Sequence, residues 1–189
     1  DNPGFVEVSK KDPRYFAFTD GSSYAPIGLN MVITDYDRLP AGYDHFTASN
    51  KTATTGMIQV RRYFKAMKKA KVNYCRLWLS QTYLNARTQL PGVHDLKAFN
   101  RLDAVMDLAR ECGVYVKLCF EHFRMFDEPN HFAYKYIVDP DTGKQLLSEK
   151  EWCTTKKWND LWMEDVKPYI ARYQNDPVVF AFELWNEMN

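Results

Sequence analysis

The sequence predicts an α/β fold built on a parallel sheet, and three observations carry that prediction. Short apolar segments rich in β-branched and aromatic residues alternate with longer stretches whose apolar positions recur every three to four residues. That order implies parallel strands joined by right-handed helical crossovers. The strands are apolar on both faces, as a parallel sheet covered by helices requires. Periodicity alone does not choose between a doubly wound open sheet and a barrel. No G-x-G-x-x-G or Walker-type glycine loop follows any strand, which weighs against a nucleotide site.

The elements follow in order. Phe5, Val6 and Val8, then Tyr15, Phe16 and Phe18, alternate with polar residues around Asp12-Pro13 and before Asp20-Gly21, the pattern of a short hairpin. Ala25 to Val32 is an apolar run opened by Pro26, suited to the first strand of the parallel sheet. Residues 33–56 are polar and turn-rich. From Ile58, the residues Val60, Tyr63, Phe64, Met67 and Ala70 form a helical stripe that Thr54 or Thr55 can cap. Val72 to Leu79 reads as the second strand. After Pro91-Gly92, a second helix places Leu102, Val105, Met106, Ala109 and Cys112 on one face and stops at Gly113. Val114 to Phe120 is the third strand, and Glu121 to Leu147 is the longest irregular stretch.

Ser148 with Glu151 makes a capping box. The stripe Trp158, Leu161, Trp162, Val166, Tyr169, Ile170 and Tyr173 continues that helical segment, with Pro168 expected to kink or interrupt it. Val178 to Trp185 is the fourth strand, followed by Asn186-Glu187-Met188-Asn189.

Composition narrows the function. The 189 residues hold 25 Lys and Arg against 24 Asp and Glu, and no basic run exceeds two residues, so a phosphate-tracking, nucleic-acid-binding surface is not expected. No uncharged apolar stretch approaches the roughly 18 residues that cross a bilayer. The first residues, Asp1-Asn2-Pro3-Gly4, lack the charged-then-apolar pattern of a signal segment. Cys75, Cys112, Cys119 and Cys153 have no C-x-x-C spacing and lie in predicted helices or strands, so buried free thiols are expected ahead of a disulfide. His45, His94, His122 and His131 form no ligand motif, and neither a metal nor a cofactor is expected. Aromatic residues stand out at 15% of the chain; many sit at the helical spacing of core residues, while Trp and Tyr in loops would suit a sugar-binding cleft, because flat rings cover the apolar faces of sugars.

In parallel α/β proteins, ligands gather beyond the carboxyl ends of the strands. Those ends read Asn30, Arg76 to Ser80, Glu121-His122 and Asn186-Glu187, so four polar clusters converge on one side. A carboxylate at the tip of a buried strand, as Glu187 is, sits where low polarity favours a general acid. If no bulge intervenes, residues 183, 185 and 187 share a face. Glu183 would then point inward and need a partner, for which Arg76 is the candidate.

These clusters together resemble clan A of the glycoside hydrolases, the (β/α)8-barrel superfamily, and especially family 5. Tyr24 to Asn30 is similar to the family's first strand, Val72 to Trp78 to its second, Glu121-His122 to its third-strand histidine and Trp185-Asn186-Glu187 to its acid/base motif. The resemblance implies a TIM-barrel fold, with residues 1–24 as a hairpin cap and 25–189 as the first four β/α units. It also implies a retaining hydrolase of β-linked glucan or mannan, secreted or periplasmic. Glu187 would be the general acid/base, Asn186 would bind the sugar 2-hydroxyl, His122 would line the cleft and Arg76 would steady the nucleophile. Trp78, Tyr83, Phe123, Phe126 and Trp152 are candidates for sugar stacking, no more so than for core packing.

The family's nucleophile ends the seventh strand, and a full barrel has eight strands in about 250 residues. The chain is therefore expected to be one half of a barrel. A second polypeptide, another copy or a further chain segment would complete it and cover two otherwise open sheet edges. Glu121 is the nearest in type to the missing carboxylate but is not a convincing substitute. The competing classes are a non-catalytic carbohydrate-binding or assembly half-barrel, and an open-sheet enzyme of unrelated chemistry.

Overall fold

A computed structural model of the protein describes residues 2–31, 57–79, 83–88, 90–122, 138–144 and 149–186, with the side chains of Gln59, His122 and Glu149 outside that description. The predicted turn-rich segment 33–56, the Ser148 half of the capping box, most of the irregular stretch after the third strand, and Glu187 all lie outside the described residues.

The N-terminal segment forms three antiparallel strands, one more than the predicted hairpin: β1 (Val6–Val8), β2 (Phe16–Phe18) and β3 (Ser23–Tyr24). The extra strand follows from the tight turn at Gly21, whose φ of 87° returns the chain alongside β2. The second sheet is parallel, with β4 (Gly28–Met31), β5 (Tyr74–Trp78), β6 (Tyr115–His122) and β7 (Val179–Asn186) as neighbours in chain order.

That order settles what periodicity could not. In a doubly wound sheet the strand order reverses and helices cover both faces. Here every crossover runs the same way, so right-handed connections leave all helices on one face. The other face is free to become a barrel interior.

The helices among the described residues are α1 (Met57–Lys69), α2 (Leu96–Cys112), α3 (Glu149–Thr154) and α4 (Lys156–Tyr173). Helix α2 begins at Asp95, whose carboxylate accepts from the Lys97 amide, and ends at Gly113 with φ 68°, as its sequence predicts. Between the helices and the sheet lies the core. Val60, Phe64 and Met67 of α1, Leu102, Val105 and Met106 of α2, and Trp162, Val166 and Tyr169 of α4 pack over Cys75, Leu77, Val116, Leu118 and Phe120.

Of the kink or interruption expected at Pro168, the interruption does not occur there: helix α4 runs through the proline. The carbonyl that loses its donor belongs to the exposed Glu164, which water can solvate, and buried Val166 and Tyr169 anchor the helix on both sides of the proline. The interruption falls instead at Thr155, whose extended backbone separates α3 from α4. Tyr63 and Ala70 were expected on the buried stripe of α1 but are exposed, because they border the open β4 edge. Cys75, Cys112 and Cys119 are buried thiols as expected, whereas Cys153 is exposed on α3.

The antiparallel sheet packs against the amino ends of the parallel strands through rings. Phe18 and Tyr24 lie 5.1 Å from Tyr115, and Phe16 lies 5.1 Å from Phe180. Asn73, just before β5, ties the two together: its side chain accepts from the Ile27 amide at 2.8 Å and donates to the Ala25 carbonyl at 3.0 Å. Gly28 is where β4 crosses closest to β5, since a Cβ there would come within 2.0 Å of the Tyr74 carbonyl oxygen. With the amino ends capped by aromatic rings, the carboxyl ends are left for polar chemistry.

Candidate active site

Alternation along β5 and β6 sends Cys75, Leu77, Val116 and Leu118 under the helices, and Tyr74, Arg76, Trp78, Lys117 and Cys119 to the inner face. Arg76 is paired in register with Lys117, and Cys119 with Glu183 of β7. A cluster of charges results at mid-sheet.

The Arg76 guanidinium grips Glu183 as predicted. Its Nε donates to Oε2 at 2.7 Å and its Nη2 donates to Oε1. The same Nη2 also donates to Asn186 Oδ1 at 2.6 Å, and Lys117 Nζ lies 2.8 Å from Glu183 Oε2. Arg76 stands over the half-buried Trp78 ring at 5.4 Å. Burial raises the Glu183 carboxyl, but the hydrogen bonds from Arg76 and Lys117 outweigh it and hold its pKa below the usual carboxylate value. Glu183 is therefore an ionised anchor. Burial pushes the neighbouring Cys119 thiol up to about 12, so it is no nucleophile at neutral pH.

Strand parity breaks just past this cluster. Residues 183, 185 and 187 were expected on one face, yet Trp185 packs against Trp152 of α3 at 5.1 Å while Asn186 joins Glu183 at Arg76. Its partner strand departs in step. Cys119 lies beside Glu183 on the inner face, but Glu121, in register with Trp185, is bonded to Trp162 of α4. The condition attached to the parity reading, that no irregularity intervenes, is not met. Alternation from Glu183 thus does not assign a face to Glu187, which lies outside the described residues.

Glu121 is excluded from the nucleophile's part by its partners. Arg87 Nη1 donates to Oε1, Arg87 Nη2 donates to Oε2 at 3.2 Å, and Trp162 Nε1 donates to Oε1 at 2.7 Å. Arg87 spends its remaining donors on the Phe120 carbonyl at 3.1 Å and Asn85 Oδ1 at 3.2 Å. Sequence reading missed Arg87, whose only signal was a buried strand-end glutamate in need of a cation.

The other candidates divide. Asn186 is buried, and its Nδ2 has no hydrogen-bond partner among the described residues. His122 closes β6 in register with Asn186. Trp152 is a core residue between Trp162 and Trp185, not a sugar platform. Tyr83 accepts from the Met57 amide at 3.1 Å and carries Arg101 over its ring, which makes it a structural residue too. Phe123 and Phe126 lie outside the described residues. Of the five ring candidates, Trp78 alone is described on the inner face. Among the described residues, no group of three or more His, Cys, Asp or Glu is disposed to hold a metal, and no helix is long and apolar enough to cross a membrane.

No family model matches the chain. It is similar to mannan endo-1,4-β-mannosidase 4 of Solanum lycopersicum, with 24% identity over 91% of this chain and 43% of that protein. In structure it matches the β-mannanase of the blue mussel Mytilus edulis with a TM-score of 0.61 and 13% identity, over 98% of this chain and 46% of that one. The endo-1,4-β-mannanase of Rhizomucor miehei gives a TM-score of 0.58 and 18% identity over 98% and 49%. The chain thus spans less than half the length of these relatives. These likenesses show the fold, a partial (β/α)8 barrel.

Proposed function

We propose that this chain carries the acid/base half of a retaining hydrolase of β-1,4-linked mannan, residues 1–24 capping the barrel and 25–189 supplying its first four β/α units. One observation carries the reading: Arg76 and Glu183 at mid-sheet are bound on the inner face to Asn186 at the carboxyl end of β7, immediately before Glu187. The mannan preference comes from the relatives, which are named as mannanases.

In this mechanism Glu187 protonates the glycosidic oxygen as the bond breaks, then takes a proton from the water that releases the sugar from the nucleophile. Asn186 Nδ2, a buried donor lacking a described partner, hydrogen-bonds the 2-hydroxyl, where the unmet donor makes the interaction worth more than an exposed one. Trp78 offers a ring to the sugar, and His122 lines the cleft. The nucleophile comes from polypeptide that adds the remaining strands, in the same molecule or a second one. Ile27 and Leu29 on the β4 side and Leu184 on β7 expose between 46% and 61% of their surface, which fits edges that further strands cover.

The test is hydrolysis of β-1,4-mannan and of cellulose by the protein together with the polypeptide that completes its barrel, with the anomer of the first product followed by NMR. Mannan cleavage with retention, lost about a thousandfold in Glu187→Gln, supports the reading. Carbohydrate binding without turnover, unaltered by that substitution, identifies the non-catalytic binding module instead.

A further inference from the structure

The charges on the described inner face do not balance. Arg76 and Lys117 bring two cations to a single carboxylate, Glu183. Both reach the same oxygen, Arg76 Nε at 2.7 Å and Lys117 Nζ at 2.8 Å, while Arg76 Nη2 takes the other. The groups that face Glu183 besides these are Tyr74 from β5, Cys119 from β6 and Asn186 from β7, all neutral at working pH. One positive charge is left over.

That surplus sits in a screened place, with side-chain exposures of 16% for Arg76, 27% for Lys117 and 17% for Glu183. A partly desolvated charge without a counterion is costly, and the cost rises as surrounding structure displaces water. Arg76 with Glu183 alone would be neutral, as Arg87 with Glu121 is. Lys117 therefore makes the face cationic. Because it shares the Glu183 charge, Arg76 keeps attraction for a second anion, and its Nη1 has no partner among the described residues.

We propose, on the basis of the hydrolase reading above, that Lys117 is a positioning residue: the unbalanced charge it creates with Arg76 and Glu183 holds the nucleophilic carboxylate of the opposite barrel side ionised and in place. Lys117 touches neither sugar nor reacting atoms. It acts through Glu183 and Arg76, so its removal weakens bond-breaking more than substrate capture.

The experiment is the pH dependence of mannan-oligosaccharide hydrolysis by the protein and by Lys117→Met, Lys117→Gln and Lys117→Arg. A nearby positive charge favours a carboxylate's ionised form, so losing it moves the acid limb of kcat/KM upward, by about half a pH unit. We expect that shift in the Met and Gln variants, together with a kcat about tenfold lower and a KM within about twofold of the parent. Lys117→Arg should restore both the limb and kcat. If Lys117→Met does not fold, Lys117→Gln against Lys117→Arg decides, since one removes the charge and the other keeps it. Parent-like profiles in the charge-removing variants of an active enzyme overturn the proposal and leave the hydrolase reading intact. A parent that is inactive even with the polypeptide that completes its barrel, and with Glu187→Gln indistinguishable from it, overturns that reading and the proposal with it.

Discussion

Two arginine–glutamate pairs bind the strands at this end of the molecule, and they differ in what they leave over. Arg87 and Glu121 are sealed, with side-chain exposures of 3% and 0%, and each Arg87 nitrogen and each Glu121 carboxylate oxygen is engaged by the pair, Trp162, Asn85 or the Phe120 carbonyl. Arg76 and Glu183 are 16% and 17% exposed, hold a third partner in Lys117 and a fourth in Asn186, and carry surplus charge. The same two residue types make a closed staple in one place and a partly open, charged cluster in the other. What separates them is whether the hydrogen-bonding capacity closes on itself.

The largest effect expected from this contrast is on the sealed pair. Arg87→Met strands the buried Glu121 carboxylate and should lower unfolding free energy by about 3–5 kcal/mol, read from urea denaturation. Replacing both partners, Arg87→Met with Glu121→Leu, should recover about half of that loss, because no lone charge remains. A single substitution costing under about 1 kcal/mol would show that the pair is not the closed staple described.

At the inner pair the expected loss is of rate. Arg76→Lys retains the charge but cannot span both Glu183 oxygens and Asn186 at once, so kcat should fall about a hundredfold while the urea midpoint changes little. An equal fall in stability and a normal rate per folded molecule would reverse the assignments of the two pairs.

The smallest effect expected is the acid sensitivity of Glu183. Its folded pKa lies below the ordinary 4.5 because the bonds from Arg76 and Lys117 overcome the burial that raises it. Its contribution to stability is thus complete above the ordinary value and is lost as pH falls through the lowered folded one. The stability difference between parent and Glu183→Gln should therefore shrink between neutral pH and about pH 3. A difference that grows toward acid would mean that the carboxyl is not held ionised.

Much of this was readable from residue order. Apolar runs and helical stripes located all four parallel strands, and Gly113 marked the end of α2, because local preference and tertiary demand agree there. The Arg76–Glu183 pair was legible because a charge on an inward strand position must find its opposite, and both residues lie within strands whose faces alternation assigns. Arg87 was not, since it comes from a loop that alternation does not orient. Trp185 was placed beside Glu183 only on condition that alternation held, and it does not: both strands leave strict alternation together, which the packing of Trp152 and Trp162 reveals. Pro168 does not interrupt α4 because the helix penalty falls on a carbonyl that solvent can serve, and nearby core side chains hold the helix.

The most direct test of the central claim, that carbohydrate is cleaved on the Arg76 face, is a crystal structure of Glu187→Gln with a β-1,4-manno-oligosaccharide bound. The account predicts the residue 187 side chain within about 3 Å of the scissile oxygen, with Asn186 on the adjacent 2-hydroxyl and Trp78 beside the sugar. Residue 187 packed with Trp152 and Trp185 on the helical side, and the sugar bound elsewhere, would contradict it.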